Sequence, residues 1–358
     1  MKKLAILLCS ILFLGATACS PKEAKSFGRE VFALDTMSSF TIWTNEEVDD
    51  QKAQELVEKA EDLLLYYDSL LSRTVTTSDV FRANQAGSNE TPISLETAHL
   101  IEESILYSNM TGGYFDISIL PVKELWDFKA KNPRVPSEEE INAARALVNY
   151  KNIDLGTEVF RGENEAIKLS PVAKETEKAW RMLRLKEGAQ IDLGAIAKGY
   201  IADKISDYLT SEGITKGVIN LGGNVLMIGE KEPGTPWKVG VQNPDGTQNN
   251  FIATVSINDQ SVVTSGVYER FFEIDGIKYH HLLNPFTGRP TDNGLVSVTI
   301  FSDQSVVGDA FSTSCFVLGL DKGLELIENT KDVEAAFILE NGEIVTSSGI
   351  EKYNFTIT

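Results

Sequence analysis

The sequence predicts an α+β fold, because two hydrophobic periodicities occupy different parts of the chain. Apolar residues recur at helical spacing in the first half, whereas after Trp237 they form short runs separated by turns. Since strands and helices are segregated, the sheet core is expected to be mixed or antiparallel. With 358 residues and no internal repeat, the chain should form one large domain or two closely packed ones.

The first 18 residues have the pattern of a secretion signal. Lys2 and Lys3 precede the apolar run 4–14 and the small residues 15–18, a combination too short to span a bilayer permanently. Cys19 follows directly, as in the lipobox of bacterial lipoproteins, so we expect it to carry lipid and to become the mature N-terminus. Simple cleavage that leaves a free Cys19 is the alternative.

Three parts are therefore expected: a signal (1–18), a lipid-anchored tether (19–28) and a folded domain (29–358). The lipid would hold the protein on the extracytoplasmic side of the cell membrane. Cys9 leaves with the signal, so Cys315 is the one thiol left for the fold and no internal disulfide can form in the mature chain.

The first half of the domain is expected to contain one interrupted strand and several helices. A strand over residues 31–44 is interrupted by the turn-like Asp35-Thr36-Met37. Apolar residues at helical spacing then predict a long helix over 53–71. Ser94 begins a second helix that runs to residue 110, and Ser137 with Glu140 forms a capping box for a third.

The rest of the chain is mostly strands. Short apolar runs predict strands at 152–155, 166–169, 190–193 and 218–221, with a helix over 195–209. Later strands are expected at 238–241, 252–257, 271–274, 279–283, 296–301 and 335–339, with a helix at 306–318. Residues 171–183 carry several charges and two bulky apolar residues, and they receive no assignment.

The charge of the chain limits its ligands. A net charge of −19 argues against nucleic acid and anionic lipid as partners, since phosphate binding depends on lysine and arginine. An acidic protein that binds a polyanionic nucleotide needs a local remedy, such as a metal ion or oriented backbone N–H groups. With three histidines, a His/Cys zinc site is not expected.

Two local arrangements suggest a site for an anion and a cation. Asp192 leads through Gly194 to a predicted helix start with Lys198 in its first turn, and unpaired N–H groups at a helix start attract anions. Asp309 and Thr313 are four residues apart and share a helix face, where carboxylate and hydroxyl oxygens suit Mg2+. An ordinary strand–helix junction and a helix cap are the structural alternatives.

Two further arrangements carry weaker signals. Gly222-Gly223 would let a ligand approach the backbone closely, although a plain turn explains the pair equally well. Residues 280–290 contain an Asn-Pro and a Thr-Gly pair, which predict a rigid turn. His280 and His281 at its start could instead be one core and one exposed histidine.

Taken together, these motifs resemble the ApbE family, the bacterial FAD:protein FMN transferases, over essentially the whole mature chain. The resemblance rests on seven segments in order: Asp35-Thr36-Met37; 113–118 with Pro121 and Leu125-Trp126; 191–200; 220–224; 264–270; 281–290; and 309–313. The family's fold is α+β, with the nucleotide site between a main core and a smaller part.

The resemblance implies roles for individual residues. Met37, Tyr114, Phe115, Asp116, Asp192 and Lys198 would contact FAD, with Leu282 or Leu283 as an apolar contact. The Ala195 carbonyl, Asp309 and Thr313 would surround Mg2+. Lys198 would assist catalysis, and His281 or Asp309 would act as base. Family members often have an aromatic residue where this chain has Thr74, and losing a stacked ring would weaken FAD binding by about 0.5–1.5 kcal/mol.

The implied activity is Mg2+-dependent transfer of FMN from FAD to a Ser or Thr hydroxyl of another protein, with AMP released. The family modifies a Ser/Thr-Gly-Ala-Ser/Thr type of motif, and no such run occurs in this chain. The acceptor would therefore be another polypeptide, a membrane electron-transfer subunit by analogy with the family. An FAD pyrophosphatase, a non-catalytic FAD-binding lipoprotein and a purely structural lipoprotein are the alternatives.

Overall fold

The computed structural model describes residues 24–172, 179–244 and 250–358. Their α-helices are α1 Asp50–Leu71, α2 Asp79–Gln85, α3 Leu95–Met110, α4 Leu120–Trp126, α5 Glu138–Arg145, α6 Ala197–Ser211, α7 Ser305–Leu318 and α8 Leu320–Glu328. Their strands are β1 Ser26–Ala33, β2 Thr36–Trp43, β3 Thr91–Ser94, β4 Ile153–Leu155, β5 Phe160–Arg161, β6 Ala179–Leu185, β7 Gly217–Leu221, β8 Asn224–Ile228, β9 Trp237–Gln242, β10 Phe251–Ile257, β11 Ser261–Gly266, β12 Phe271–Ile274, β13 Ile277–His280, β14 Leu283–Asn284, β15 Arg289–Pro290, β16 Leu295–Ser302, β17 Val333–Leu339, β18 Ile344–Thr346 and β19 Thr356–Ile357.

An eight-stranded antiparallel sheet forms the main core, in the order β1-β2-β7-β8-β11-β16-β17-β18. One face packs on α1, α6 and α7 through residues such as Phe40, Ile219 and Phe311. The opposite face packs on the small sheet β19-β10-β9 through residues such as Val262 and Phe301. The α+β expectation is confirmed.

A smaller sheet lies beside this core. Its order is β3-β6-β4, with β5 also paired to β6. Next to it, α4 and α5 pack with β12 and β13 around the buried Trp126, whose ring stacks on Phe128 and Tyr279. Trp126 also donates its indole N–H to the Gly288 carbonyl at 2.8 Å, which ties α4 to the turn between β14 and β15.

The helix starts follow the capping residues that the sequence predicts. Ser94 accepts a hydrogen bond from the Thr97 N–H at the start of α3, and Ser137 forms the capping box with Glu140 at the start of α5. The long helix α1 begins three residues earlier than its apolar pattern, because Asp49 caps it through the Lys52 N–H. The predicted strand with a central turn is the hairpin β1–β2, whose turn residues Leu34 and Asp35 have positive φ.

Several expectations need correction. Residues 166–169 form no strand, because the Asn164 side chain and carbonyl hold a turn through the Ala166 and Ile167 N–H groups. Residues 190–193 also form no strand beyond a single bridge at Gln190. In the unassigned stretch 171–183, residues from Ala179 onward belong to β6, the central strand of the smaller sheet.

The predicted tether overlaps the fold at its end, since β1 begins at Ser26. The expected signal and Cys19 lie outside the described residues. Within the described ranges, no helix combines the length and apolar character that a membrane crossing requires.

Candidate active site

A cleft of about 1090 Å³ opens between the main core, the smaller part and the β14–β15 turn. Most sequence-predicted site residues line it: Thr74, Tyr114, Phe115, Asp116, Asp192, Ala195, Lys198, His281, Leu282, Leu283, Asp309 and Thr313. Met37 is absent from the lining, and its side chain is 57% exposed. Its cross-strand neighbour Phe32 lines the mouth of the cleft instead.

The centre of the cleft depends on a close approach of α6 and α7 at Gly199. A Cβ atom at this position would lie 2.2 Å from the Ser305 carbonyl oxygen, so only glycine fits. The approach lets the Gly199 N–H donate to Asp309 Oδ2 at 2.6 Å. In return, Asp203 of α6 accepts the Ser305 and Val306 N–H groups at the start of α7.

The Ala195 carbonyl lies just before α6. The helical ladder begins at Ile196, whose carbonyl accepts the Tyr200 N–H at 3.1 Å, so the Gly199 N–H is one of the first N–H groups, which have no partner within a helix, and Asp309 caps it. Among the described residues, no hydrogen bond is donated to the Ala195 carbonyl. It is therefore available to a ligand in the cleft.

The donor set fits a hard divalent cation such as Mg2+. The Ala195 carbonyl, the Asp309 carboxylate and the Thr313 hydroxyl line one cleft, and each is an oxygen ligand of the kind Mg2+ prefers. Asp309 Oδ2 accepts a hydrogen bond from the Gly199 N–H and Oδ1 accepts one from Asn224, and each carboxylate oxygen has a second lone pair. Within the described ranges, no group of three or more His, Cys, Asp or Glu side chains could hold a metal ion, so a cation at this site would need the carbonyl and hydroxyl oxygens as well as Asp309.

Asp309 is fixed by a chain of buried polar groups. Asn224 donates to Asp309 Oδ1 at 3.0 Å and accepts from Ser305 Oγ at 2.5 Å, while Ser261 Oγ donates to Ser305 Oγ at 2.9 Å. Burial raises the pKa of Asp309, and the Lys198 charge and the two hydrogen bonds oppose that rise. A buried carboxylate of this kind is stabilised by a cation.

Asp192 lies between two cations that the sequence motifs did not indicate. Lys123 Nζ lies 2.6 Å and Arg73 Nε 3.1 Å from Asp192 Oδ2, and the Gly194 N–H donates to Oδ1 at 2.6 Å. Burial alone would raise the pKa of Asp192, but Lys123, Gly194 and Arg73 hold it below its usual range. Asp192 thus orders the loop before α6.

Asp116 has a similar structural setting in the neighbouring segment, whose Ile117 carbonyl accepts the Asp192 N–H at 2.8 Å. Its two oxygens accept the Ser118 N–H at 2.8 Å, the Ser118 hydroxyl at 2.6 Å and the Tyr150 N–H at 2.9 Å. Burial raises the pKa of Asp116 despite these bonds. Beside it, Phe115 is buried against Tyr107, whereas the Tyr114 ring packs on Phe286 near the surface.

His281 is held as a neutral imidazole. Its Nδ1 lies 3.2 Å from the Arg270 carbonyl oxygen, and since a carbonyl can only accept, Nδ1 carries the proton and Nε2 has a lone pair. Burial, followed by the Arg270 and Lys123 charges, lowers the pKa of His281 to about 3. His280 is the core histidine, with Nε2 2.9 Å from the Thr291 carbonyl.

Thr74 and the leucines form other parts of the lining. The exposed Thr74 follows α1 in a turn where Ser72 Oγ accepts the Thr74 and Val75 N–H groups. Leu282 and Leu283 are buried at the β14–β15 turn, which the Asn284 side chain closes by accepting the Phe286 and Thr287 N–H groups. The expected rigid turn is therefore present.

A cluster at the cleft mouth joins three distant segments. Asp35 in the β1–β2 turn pairs with Lys129 after α4, and Arg270 lies 3.4 Å from the same Asp35 oxygen. Lys129 and Arg270 line the cleft together with Lys123 and Arg73, although the protein as a whole is acidic. Sequence reasoning missed them because nothing local marks them, and their partners lie far away in the chain.

Known proteins of one family are similar to this chain over most of its length. The model of the ApbE family matches residues 34–337. An FAD:protein FMN transferase of Treponema pallidum is 30% identical, covering 97% of this chain and 94% of its own. One from Klebsiella pneumoniae is 35% identical, covering 80% of this chain and 83% of its own.

Solved structures give the same result. The crystal structure of an ApbE protein from Thermotoga maritima has a TM-score of 0.77 at 28% identity, covering 92% of this chain and 99% of that one. The flavin transferase ApbE from Vibrio cholerae, at 24% identity and a TM-score of 0.75, shares the fold over 92% of this chain and 99% of its own. From the family match and these relatives, the chain belongs to the ApbE family.

Proposed function

We propose that this chain is an FAD:protein FMN transferase that requires Mg2+ and links FMN to a Ser or Thr hydroxyl of another polypeptide, with AMP released. The observation that carries the proposal is the capping of the Gly199 N–H by Asp309, which fixes the α7 carboxylate in the same cleft as the Ala195 carbonyl, an oxygen that accepts no hydrogen bond from the described residues. It leaves three oxygen donors from two distant segments beside Lys198 in one cleft. A passive flavin-binding protein has no need of such a donor set.

The proposed reaction is a substitution at phosphorus. The acceptor oxygen forms a bond to the phosphorus of the FMN half, and the bond from that phosphorus to the bridging oxygen breaks. The acceptor proton passes to a base, and AMP leaves with the bridging oxygen. Bound at the donor set, Mg2+ would neutralise the charge that develops on the diphosphate oxygens.

Lys198 and the start of α6 would bind the diphosphate from the protein side. Lys198 is the second residue of α6, where N–H groups without helical partners and the helix dipole favour an anion. Burial raises the pKa of Asp309, and the Lys198 charge is near enough to oppose that rise. Positive charge therefore lies beside the position proposed for the cation, which supports a diphosphate bound between them.

His281 is the better candidate for the base. Both Asp309 oxygens already accept hydrogen bonds and Asp309 is a proposed metal ligand, so a bound cation would oppose its protonation. His281 is neutral, lines the cleft and has an unprotonated Nε2. A neutral imidazole can take the acceptor hydroxyl proton as the phosphorus–oxygen bond forms.

The acceptor and the location complete the proposal. A polypeptide with a Ser/Thr-Gly-Ala-Ser/Thr type of motif would deliver the hydroxyl, and a membrane electron-transfer subunit is the expected class. Lipid on Cys19 would hold the enzyme at the extracytoplasmic membrane surface beside such a partner. The small Thr74 side chain at an exposed point of the lining also leaves room for water, which favours FAD hydrolysis as the second candidate activity.

Incubation of the purified chain with FAD, Mg2+ and a synthetic peptide containing Ser-Gly-Ala-Thr tests the proposal by mass spectrometry. We expect the peptide to gain the mass of FMN, to lose that gain in Asp309→Ala, and to keep it in Asp292→Ala, whose exposed carboxylate lies outside the cleft lining. Free FMN and AMP without labelled peptide would support the pyrophosphatase instead. Unchanged FAD would support a non-catalytic binding protein.

A further inference from the structure

The strand β1 ends at the candidate site and has a free edge. It is the first strand in the order of the eight-stranded sheet, and within the described ranges no strand pairs with its outer side. Phe32, near its end, and Leu34, in the following turn, line the cleft. The edge therefore runs directly to the mouth of the cleft.

The register fixes which backbone groups of β1 point outward. The Thr44 N–H donates to the Lys25 carbonyl at 2.9 Å, which makes this a hydrogen-bonded pair. Hydrogen-bonded and non-hydrogen-bonded pairs alternate along an antiparallel ladder. The strands continue in this register, so Phe27 and Ile42 form the next hydrogen-bonded pair. The β1 residues that alternate with the hydrogen-bonded ones, Gly28, Glu30 and Phe32, therefore direct their N–H and C=O groups away from β2.

Side chains at the cleft end of this edge also lack cover. Phe32 is 67% exposed and its cross-strand neighbour Met37 is 57% exposed. Directly opposed residues of two strands project to the same face, so the two side chains form one exposed apolar pair. Unpaired backbone groups and exposed apolar side chains thus occur together at the end of β1.

We propose that the outer edge of β1, from Gly28 to Phe32, binds the acceptor polypeptide as an added β-strand and leads its reactive hydroxyl into the cleft. The inference rests on the proposed transfer to a second polypeptide. Backbone pairing would supply affinity with little dependence on sequence, and the Phe32–Met37 pair would cover an apolar side chain of the acceptor. A long unpaired edge strand can pair with other chains and aggregate, so proteins usually protect such edges.

Amide hydrogen exchange tests the docking without any chemistry. The probe is the acceptor peptide with its Ser and Thr replaced by Ala, so no FMN can be transferred. We expect the amides of Gly28, Glu30 and Phe32 to exchange rapidly in the free protein and to be protected when the peptide is added. The amides of Ile344 and Thr346, which point outward from β18 at the opposite edge of the sheet, should not respond.

Kinetics give a second test with matched variants. Glu30→Pro removes one outward donor and leaves the β1–β2 bonds in place, whereas a Cβ at Gly28 would crowd the Phe40 carbonyl at 2.9 Å. We expect Glu30→Pro to raise KM for the Ser-Gly-Ala-Thr peptide by roughly tenfold with FAD affinity unchanged. Glu30→Ala, which keeps the N–H, and Thr346→Pro, at the other edge, should retain the wild-type KM.

Three results would overturn the inference. The first is that the β1 amides are already protected before peptide is added, which would place another segment on the edge. The second is that these amides stay unprotected after the peptide is added, and the third is that Glu30→Pro leaves KM unchanged. The proposed function fails separately, if the wild-type chain labels no peptide although the β1 amides become protected. The two failures are therefore distinguishable.

Discussion

Replacing Gly199 with alanine tests the packing that forms the candidate site. The added methyl carbon would lie 2.2 Å from Ser305 O, 2.5 Å from Ser305 C and 2.7 Å from the Val306 Cα. These are backbone atoms that cannot rotate away, so α6 and α7 must separate. Separation would break the hydrogen bond from the Gly199 N–H to Asp309, which is 2.6 Å long.

Three magnitudes decide the expected change in stability. Alanine in place of a helical glycine favours the helix by about 1 kcal/mol. Overpacking costs about 1–3 kcal/mol, and a lost hydrogen bond to a charged group costs about 1.5–3 kcal/mol. We therefore expect Gly199→Ala to lower the free energy of unfolding by about 1.5–5 kcal/mol, against the direction of helix propensity.

The same change should weaken Mg2+ binding. With α6 and α7 farther apart, the Asp309 carboxylate and the Thr313 hydroxyl of α7 would move away from the Ala195 carbonyl, which would disrupt the donor set. Urea denaturation measures the stability, and the Mg2+-dependent rise in melting temperature measures the binding. Gly323→Ala is the control, because its Cβ would meet Cys315 O at a milder 3.0 Å and α8 contributes no residue to the cleft.

Unchanged or increased stability of Gly199→Ala would refute this account of the α6–α7 contact. A full Mg2+ response in a destabilised Gly199→Ala would refute the link between that contact and the metal donors. A loss of the response in Gly323→Ala would show that destabilisation alone removes Mg2+ binding. Each outcome distinguishes an effect on the packing of α6 against α7 from an effect on the geometry of the metal ligands.

Three other predictions follow from single groups. Thr74→Tyr should tighten FAD binding by about 0.5–1.5 kcal/mol through ring stacking, measured by flavin fluorescence titration, and equal affinity would argue against a flavin at this wall. Burial raises the pKa of Asp203 from 3.8 to about 7 in the folded protein. Because the folded-state pKa is the higher one, the stabilising contribution of Asp203 is present at acid pH and is lost as pH rises toward 7. The free energy of unfolding should fall by at most about 1.4 kcal/mol per pH unit. Denaturation between pH 5 and about 8 should show a flatter profile in Asp203→Asn, and parallel profiles would contradict the shift. The His281 imidazole, with its pKa lowered to about 3, should stay neutral at about pH 5 in NMR spectra of the free protein, so a midpoint near its usual value of 6.5 would contradict the neutral base.

Local signals in the sequence predicted the helices well. Capping by Ser94 and Ser137 depends on residues within one helical turn, and the buried face of α1 repeats at helical spacing. Such information is contained in a short window of sequence, so periodicity and capping rules can extract it. The same reasoning located the residues of the 192–198 and 309–313 segments, which line one cleft.

The strand β6 could not be recognised in this way. Its buried positions are Ala179, Arg181, Leu183 and Leu185, and a buried arginine breaks the expected apolar alternation. Arg181 is accommodated because it binds Glu102 and the Gly156 carbonyl, partners that lie far from it in sequence. A pattern in the strand itself cannot report a partner that only the tertiary fold brings close.

The site residues also divide into those that local sequence indicates and those that only the tertiary fold brings together. Lys123 and Arg73 were missed because only the fold brings them to Asp192. Met37 was assigned through the family resemblance, yet its exposed side chain lies outside the cleft lining. The role of Gly199 was also hidden, since its requirement comes from the backbone of α7 and not from its own helix.

Crystals soaked with FAD and Mn2+, a substitute for Mg2+ with a strong anomalous signal, would test the metal site most directly. We expect one anomalous peak at about 2.1 Å from the Ala195 carbonyl oxygen, an Asp309 carboxylate oxygen and Thr313 Oγ1, in contact with the diphosphate. FAD bound in the cleft with no peak at these three oxygens, or with the peak on other residues, would contradict the account.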